Sequence, residues 1–268
     1  MSLKARFRQL VPPQQARQQL LRALAQQRTE SETLPAELSA GRVTAAPVFA
    51  TISAPPYHAA AMDGIAVRSA DTLGASEANP LVLPAERLQA IDTGDPLPQS
   101  EGFDAVIPVE ALREKEGGYE IRKSASARQH VRLCGEDMVA GEMILAQGRR
   151  IRPEHVGAML QANVCSVEVR CKVRVAILPT GDELCEPGQD PSDGKVIESN
   201  SRMLAAFIES WGGVANRLPP QPDDPASLKQ VVEETIDAGE TDVLVILAGS
   251  SAGRGDFTPR ILAEGGQL

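Results

Sequence analysis

Near its end the chain carries "DVLVILAG" (Asp242 to Gly249), a near-continuous apolar run of strand length. A strand that is apolar on both faces must be covered on both, the condition met in a parallel sheet layered between helices. The preceding residues fit that frame. "VRVAIL" (Val173 to Leu178) reads as a first strand and "GVANRL" (Gly213 to Leu218) as a second. Between them Ser199 or Asn200 can cap a helix whose apolar positions Met203, Leu204, Phe207, Ile208 and Trp211 share one face, ended by Gly212 and Gly213. Residues 225 to 238 supply a second helix. The resulting βαβαβ order opens a doubly wound parallel α/β sheet. Only one loop and about half a helix follow the third strand before Leu268, so the sheet is expected to be incomplete, with some edge unpaired.

Upstream the texture differs. "PPQQARQQLLRALAQQ" (Pro12 to Gln27) begins at proline and spaces Ala16, Leu20, Leu21 and Leu24 as an amphipathic helix, expected to pack against a scaffold. From Pro47 to Arg132 short β-like segments ("LVLPAERLQAI", "DAVIPVE", "YEIRK", "HVRL") alternate with Gly, Pro, Asp and Ser, which predicts a small β-rich module. Glycines recur from Gly135, Pro153 opens a helix through Gln161, and "CSVEVR" reads as a further β segment. At 268 residues the chain is long enough for two or three domains.

Composition removes several classes of function. The net charge is −9 with no block of consecutive basic residues, so nucleic acid is not an expected partner. Aromatics make up 3% of the chain, which leaves the cores to aliphatic side chains. Cys134, Cys165, Cys171 and Cys185 lack the close pairing of a zinc site and nothing at the start reads as a signal peptide, so they are expected as reduced, mostly buried thiols of a cytoplasmic protein. No apolar run approaches the roughly 20 residues of a membrane span. His58, His130 and His155 are scattered without ligand spacing and are read as surface or packed residues.

Ligands of open parallel sheets bind at the carboxyl ends of the strands, where two loops here carry suitable residues. "PTGDELCEPG" follows the first strand, with Thr180, Gly181, Asp182 and Glu183. "AGSSAGRGDFT" follows the third, with Gly249, Ser250, Ser251, Gly253 and Asp256. Glycines and hydroxyls suit close backbone approach to a phosphate or similar oxyanion. Carboxylates do not bind phosphate, so Asp182, Glu183 and Asp256 make sense beside it if they hold a divalent cation such as magnesium, or a hydroxyl-rich ligand. The plain alternative is that these acids cap helix N-termini. Asp63-Gly64, in "AAAMDGIAV", reads by spacing as a hairpin turn. "DTGDPLPQSEGFDAVIPVE" reads as a turn-rich loop leading into a strand, and "GEDM" carries little signal alone.

The ordered set "AAAMDGIAV", "DTGDPLP", "GFDAVIPVE", "CGEDMVAGE", "TGDELCEPG", "VIESNSRML" and "GSSAGRGDFT" resembles the molybdopterin molybdenumtransferase family, the MoeA proteins and their counterpart domain in gephyrin. That resemblance spans about Ala45 to the end. It implies a protein that takes adenylylated molybdopterin (molybdopterin-AMP) and molybdate, cleaves the adenylate with the help of Mg2+ or another divalent cation, and inserts molybdenum into the pterin dithiolene. It also implies a homodimer, with an active site that pairs the α/β domain of one subunit with the inserted module of the other, and a working relation with the molybdopterin adenylyltransferase. The implied organisation is a discontinuous scaffold domain (residues 1–51 and 135–171), an inserted β-rich domain (52–134), an incomplete molybdopterin-binding α/β domain (172–268), and a C-terminal β domain that this sequence does not contain.

Carried onto this sequence, the family's functional acids fall on Asp63, Asp137, Glu183, one of Asp223 or Asp224 (Asp224 being taken for substrate binding), and Asp256, with Thr93 at a polar position of the site. Asp63, Glu183 and Asp256 are implied as catalytic, Glu183 and Asp256 as metal ligands. The resemblance implies that Asp182 and Glu183 face the pyrophosphate and metal while Thr180 and Gly181 let the ligand come close. Three departures stand out: Ala60 occupies the place of the usual serine, "AGSSAG" replaces "GGVSVG", and the lysine- and proline-rich "PGKP" segment is absent. The expectation is that this 268-residue form is inactive or severely impaired. A pterin or molybdate binding protein without turnover, or a scaffold that clusters partners, are the other readings.

Overall fold

The computed structural model describes residues 11–25, 27–192, 194–247, 258 and 261. These fall into two compact units, one within residues 1–32 and 170–268, the other within 33–169. The described α-helices are α1 (Pro13–Leu24), α2 (Pro153–Gln161), α3 (Asn200–Ser210) and α4 (Pro225–Asp237).

In the first unit a parallel sheet has the Arg174–Pro179 strand at its centre, Val214–Arg217 on one side and Val243–Leu247 on the other. Every residue of the central strand after Arg174 is buried, as its unbroken apolar sequence requires. Its two faces serve different helices. Val175 and Ile177 pack with Ile208 and Leu204 of α3, whereas Leu178 packs with Leu228 and Val232 of α4. Ile177 and Leu178 are fully buried, each contributing about 2 kcal/mol from area removed from water. The chain steps first to one side of the central strand and then to the other, and with right-handed crossovers this puts α3 and α4 on opposite faces. Loops that leave the strand ends toward opposite faces open a crevice at the carboxyl edge.

Three expectations for the helices change. On α3 the inward face is Ser201, Leu204, Ala205 and Ile208, while Met203, Phe207 and Trp211 remain exposed, with the Phe207 and Trp211 rings stacked at 5.6 Å. A narrow sheet covers only one stripe of the helix, and the residues at positions 203, 207 and 211 lie round the side of it. Neither Ser199 nor Asn200 caps α3 through its side chain. The Glu198 carboxylate does so instead, accepting from the Ser201 amide (2.8 Å) and hydroxyl (2.6 Å). Helix α1 buries no residue, and Leu20, Leu21 and Leu24 stay exposed among the described residues rather than packed.

The second unit has three cores. One joins Val48 and Ala50 to Leu145, Ile151, Met159 and Val169, drawn from both flanks of the β-rich segment. Within that segment are two three-stranded antiparallel sheets. In one, Gly64–Val67 lies between Gln89–Ile91 and Ala105–Pro108; in the other, Gly118–Ile121 lies between Leu81–Pro84 and Arg113–Lys115. Ile65, Val67, Leu83, Ile107 and Ile121 share one core, and alternation sends Ala66, Ile91 and Val106 into another.

A short sequence device recurs in the two sheets. "LVLPAERL" (81–88) and "AVIPVEAL" (105–112) each form a strand closed by proline, a 3-10 turn and a leucine packed on the same core. Opposite each proline stands a glycine, Gly118 facing Pro84 and Gly64 facing Pro108. A Cβ on either would lie 2.0 Å from the carbonyl oxygen of Leu83 or Ile107, so only glycine lets the strands meet there.

The thiols differ from expectation. Cys134 and Cys165 are exposed and Cys171 and Cys185 half-buried, all four free. Cys134, Cys165 and Cys171 sit just outside strands, where alternation does not carry a side chain inward. No described helix is long and apolar enough to cross a membrane.

Candidate active site

The central strand ends at Pro179 and its exit is fixed by backbone bonds. Thr180 donates to the Leu247 carbonyl from its amide (3.0 Å) and its hydroxyl (3.1 Å), which holds the ends of two parallel strands together. The Gly181 amide donates to the Gln221 carbonyl at 3.0 Å. Gly181 has φ +148°, and a Cβ there would lie 2.6 Å from a Glu183 carboxylate oxygen. Glycine thus lets Glu183 fold back over the chain. The Lys195 ammonium donates to the Asp182 carbonyl (2.6 Å), and the Val196 amide to that of Glu183 (2.7 Å). The turn is anchored through its backbone, leaving its carboxylates to face outward.

Among the described residues those carboxylates have no cationic partner. Glu183 makes no side-chain hydrogen bond or ion pair with a described residue, and Asp182 Oδ1 accepts only a 3.3 Å bond from the Asp223 amide. Lost hydration, followed by the negative charges of Asp182 and Glu183, holds the Asp223 carboxyl above the usual aspartate range. Asp224 does something else: it caps α4, accepting from the Ser227 amide at 2.8 Å. Neither Asp182 nor Glu183 caps a helix, because the turn runs into the short Leu184–Cys185 strand, paired with Val196–Ile197. Gly249, Ser250, Ser251, Gly253 and Asp256 lie outside the described residues.

The loop beyond this turn is strapped to α3. Arg202 donates to Glu198 Oε2 (2.7 Å) and also pairs with Glu186. Glu198 is only 3% exposed. Burial pushes its carboxyl up, but the Ser201 hydroxyl and amide and the Arg202 charge outweigh burial and hold it below the usual glutamate range.

In the second unit Asp63 is not in a hairpin turn. Gly64 begins a strand paired on both sides, to Ile91 and Pro108, while Ala59–Ala60 pairs with Val131–Arg132. Thr93, at the end of the Gln89–Ile91 strand, donates to Asp63 Oδ1 from both its amide and its hydroxyl, each at 2.7 Å. The hydroxyl first, and then the amide, lowers the Asp63 carboxyl below the usual range. Asp63 and Thr93, singled out separately in the sequence, are thus brought together. Asp137 instead accepts from Arg132 (2.8 Å) and Gln161 (3.1 Å). Among the described residues no group of three or more His, Cys, Asp or Glu side chains is placed to hold a metal ion. His58 and His155 accept backbone amide bonds from Cys134 (2.8 Å) and Arg152 (3.1 Å).

Two family models match the chain: the MoeA N-terminal region (domain I and II) over residues 11–162, and a probable molybdopterin binding domain over residues 176–268. The chain belongs to the MoeA family. Molybdopterin molybdenumtransferase 2 of Mycobacterium tuberculosis is 33% identical over 235 residues, covering 82% of this chain and 58% of the relative. The molybdopterin molybdenumtransferase of Haemophilus influenzae is 31% identical over 253 residues, covering 90% and 61%. A solved molybdopterin biosynthesis MoeA protein from Pyrococcus horikoshii superposes with a TM-score of 0.79 at 29% identity, covering 96% of this chain and 67% of that one. The chain spans about three fifths of the length of these MoeA sequence relatives. The seven-motif resemblance and the multidomain α/β architecture agree with these matches.

The geometry adds residues to this candidate site that sequence reasoning left undecided or passed over. Asp223, not Asp224, stands beside Asp182 and Glu183. A signal was available: in "QPDDP" the acid directly before a proline at the first helical position is the natural N-cap, which leaves its neighbour for other work. Glu198 and Arg202 stand four apart at the start of α3, a local spacing that could have been read, whereas Lys195 and the Arg202 to Glu186 pair carried no local signal, since their partners lie 13 and 16 residues away.

Proposed function

We propose that this chain, as part of a molybdopterin molybdenumtransferase, serves molybdenum cofactor biosynthesis by inserting molybdenum from molybdate into adenylylated molybdopterin with release of AMP. One observation carries this reading: an acid pair, Asp182 and Glu183, without cationic partners among the described residues, at the carboxyl end of the central parallel strand, with the neighbouring strand end bonded to it at Leu247. Family membership supports the substrate class; Thr180 and Gly181, expected to let the ligand come close, are instead buried with their donors committed to the Leu247 and Gln221 carbonyls.

The donor chemistry here fits a divalent cation. Mg2+ commonly takes one or two protein carboxylates and completes its shell with water and substrate phosphate, so a ready-made three-residue cage is not required. Glu183, with Asp256 from the neighbouring loop, would hold it, and bound there it would neutralise charge on the pyrophosphate. Gly181 gives the Glu183 carboxylate its folded-back position. Lys195 fixes the Asp182 carbonyl so that the carboxylate points away from the strand. Thr93 keeps Asp63 ionised and oriented, and Asp137 is oriented by Arg132. Gly249, Ser250, Ser251 and Gly253 would bind substrate, and Asp223 rather than Asp224 completes the acid cluster.

On this reading the protein is a cytoplasmic homodimer, supplied with substrate by the molybdopterin adenylyltransferase. The uncovered apolar face of α1 supports association with a second copy. The separate cores of residues 33–169 support a scaffold domain interrupted by an inserted β-rich domain. The test is AMP release by the full-length protein given adenylylated molybdopterin, molybdate and Mg2+. Glu183→Gln is expected to abolish release while circular dichroism is unchanged. Release at the parental rate would discard the assignment, and binding of the nucleotide without any AMP would favour a carrier.

A further inference from the structure

A cavity of about 400 Å3 opens in the β-rich part of the second unit. Its size lies within the roughly 300–1,000 Å3 of small-molecule sites. Ile107, Leu112, Ile121 and Ala125 form its apolar side, all belonging to the core between the two sheets. Its polar side is unevenly charged. Arg122 is neutralised by Glu120 (2.9 Å) and Glu77 (3.0 Å). Arg113 and Lys123 have no ion pair or side-chain hydrogen bond with a described residue, and Glu110 is the one other carboxylate lining the cavity. Two unmatched cations over an aliphatic floor are conspicuous in a chain of net charge −9.

The backbone beside the cavity is held in an uncommon conformation. His130, which lines it, has φ +52°, and Arg128 has φ +66°. Such positions cost about 1 kcal/mol or more for a residue with a side chain and persist where surrounding bonds impose them. Here the Ala61 amide donates to the His130 carbonyl (2.9 Å) and the Val106 amide to that of Gln129 (3.0 Å). The cavity lies on the Ala105–Pro108 flank of the Gly64–Val67 strand, whereas the Asp63 side chain turns to Thr93 on the opposite flank. It therefore lies on the other flank of that strand from the Asp63 and Thr93 pair.

We propose that this cavity binds a small organic phosphate, with its apolar or planar body on Pro108, Ala111 and Leu112 above the buried Ile107 and Ile121 and its phosphate held by Arg113 and Lys123. An arginine fork together with a lysine point charge suits a dianion better than a single carboxylate. This inference does not rest on the transferase reading.

The test titrates AMP into the full chain, followed by calorimetry and by the imidazole resonances of its three histidines, with His130 assigned through His130→Gln. AMP is expected to bind with Kd below about 1 mM and to shift His130 while leaving His155 in place. Adenosine and inorganic phosphate, each lacking half of the ligand, should bind at least about tenfold more weakly. Arg113→Gln with Lys123→Gln should weaken AMP at least about tenfold with the thermal midpoint unchanged. The proposal is overturned if AMP at about 5 mM leaves His130 unmoved, if adenosine or phosphate alone binds as tightly as AMP, or if the double variant binds AMP like the parent.

Discussion

Asp63-Gly64, which opens a strand, and Gly181-Asp182-Glu183, which follows one, look alike in sequence, each a glycine beside an acid at a strand end, yet glycine serves opposite purposes in them. At Gly64 the space of the missing Cβ is filled by the Ile107 carbonyl, part of a rigid ladder. At Gly181 that space is filled by the Glu183 carboxylate, the tip of a flexible side chain. The acids differ as well. Asp63 is supplied with two donors by Thr93, whereas Asp182, Glu183 and Asp223 are set among one another with little but backbone donors. A carboxylate supplied with donors by its own chain is held ionised and fixed in place; carboxylates that face like charges are stabilised when positive charge arrives beside them.

Function should break the comparison first. Glu183→Lys puts a cation where the site is short of one and is expected to lower turnover of the full-length enzyme by about 100-fold or more, measured as AMP release, with the fold retained. Stability should separate the two glycines next. Gly64→Ala forces a Cβ against backbone and is expected to cost about 3 kcal/mol or more in urea unfolding, whereas Gly181→Ala, opposed by a movable carboxylate but with an unfavourable φ, should cost about 1 kcal/mol. Equal costs would show that the two turns are not built differently. Between them, Glu198→Ala strands the Ser201 and Arg202 donors and is expected to cost about 2 kcal/mol.

The smallest effects are in pH dependence, and their signs are opposite. The lowered Asp63 carboxyl contributes stability present above the ordinary aspartate value near pH 4 and lost as pH falls through its folded value. For Asp223 the folded carboxyl is raised, so the unfolded chain ionises first and stability declines as pH rises from the ordinary value through the folded one. Thr93→Val should move Asp63 up toward the ordinary value in an NMR titration, and Glu183→Gln should move Asp223 down. If Asp223 keeps its position in that variant, the Glu183 charge is not part of its cause.

Much of the fold was legible because its signals are local. The apolar run at 242–249, the proline-led helices and the glycine ends marked three parallel strands and α2, α3 and α4 at nearly their observed positions. The inward face of α3 was not legible, since Met203, Phe207 and Trp211 are as apolar as the residues actually buried and only the width of the sheet decides between the stripes. The exposure of α1 was equally hidden, because amphipathic spacing states that a face wants cover without stating that this chain supplies it. The 81–88 and 105–112 repeat could have been read from its shared proline and leucine spacing, with the opposing glycines as the check.

By itself the sequence determined the order of elements and the family, since periodicity, turn chemistry and motif order are properties of neighbours along the chain. Tertiary structure alone decided that Thr93 completes Asp63, that Asp223 joins Asp182, and that Lys195 reaches the Asp182 carbonyl. Each of those outcomes depends on hydrogen bonds a few ångströms long between residues whose meeting is fixed by strand register and helix crossover, and no local pattern carries that distance.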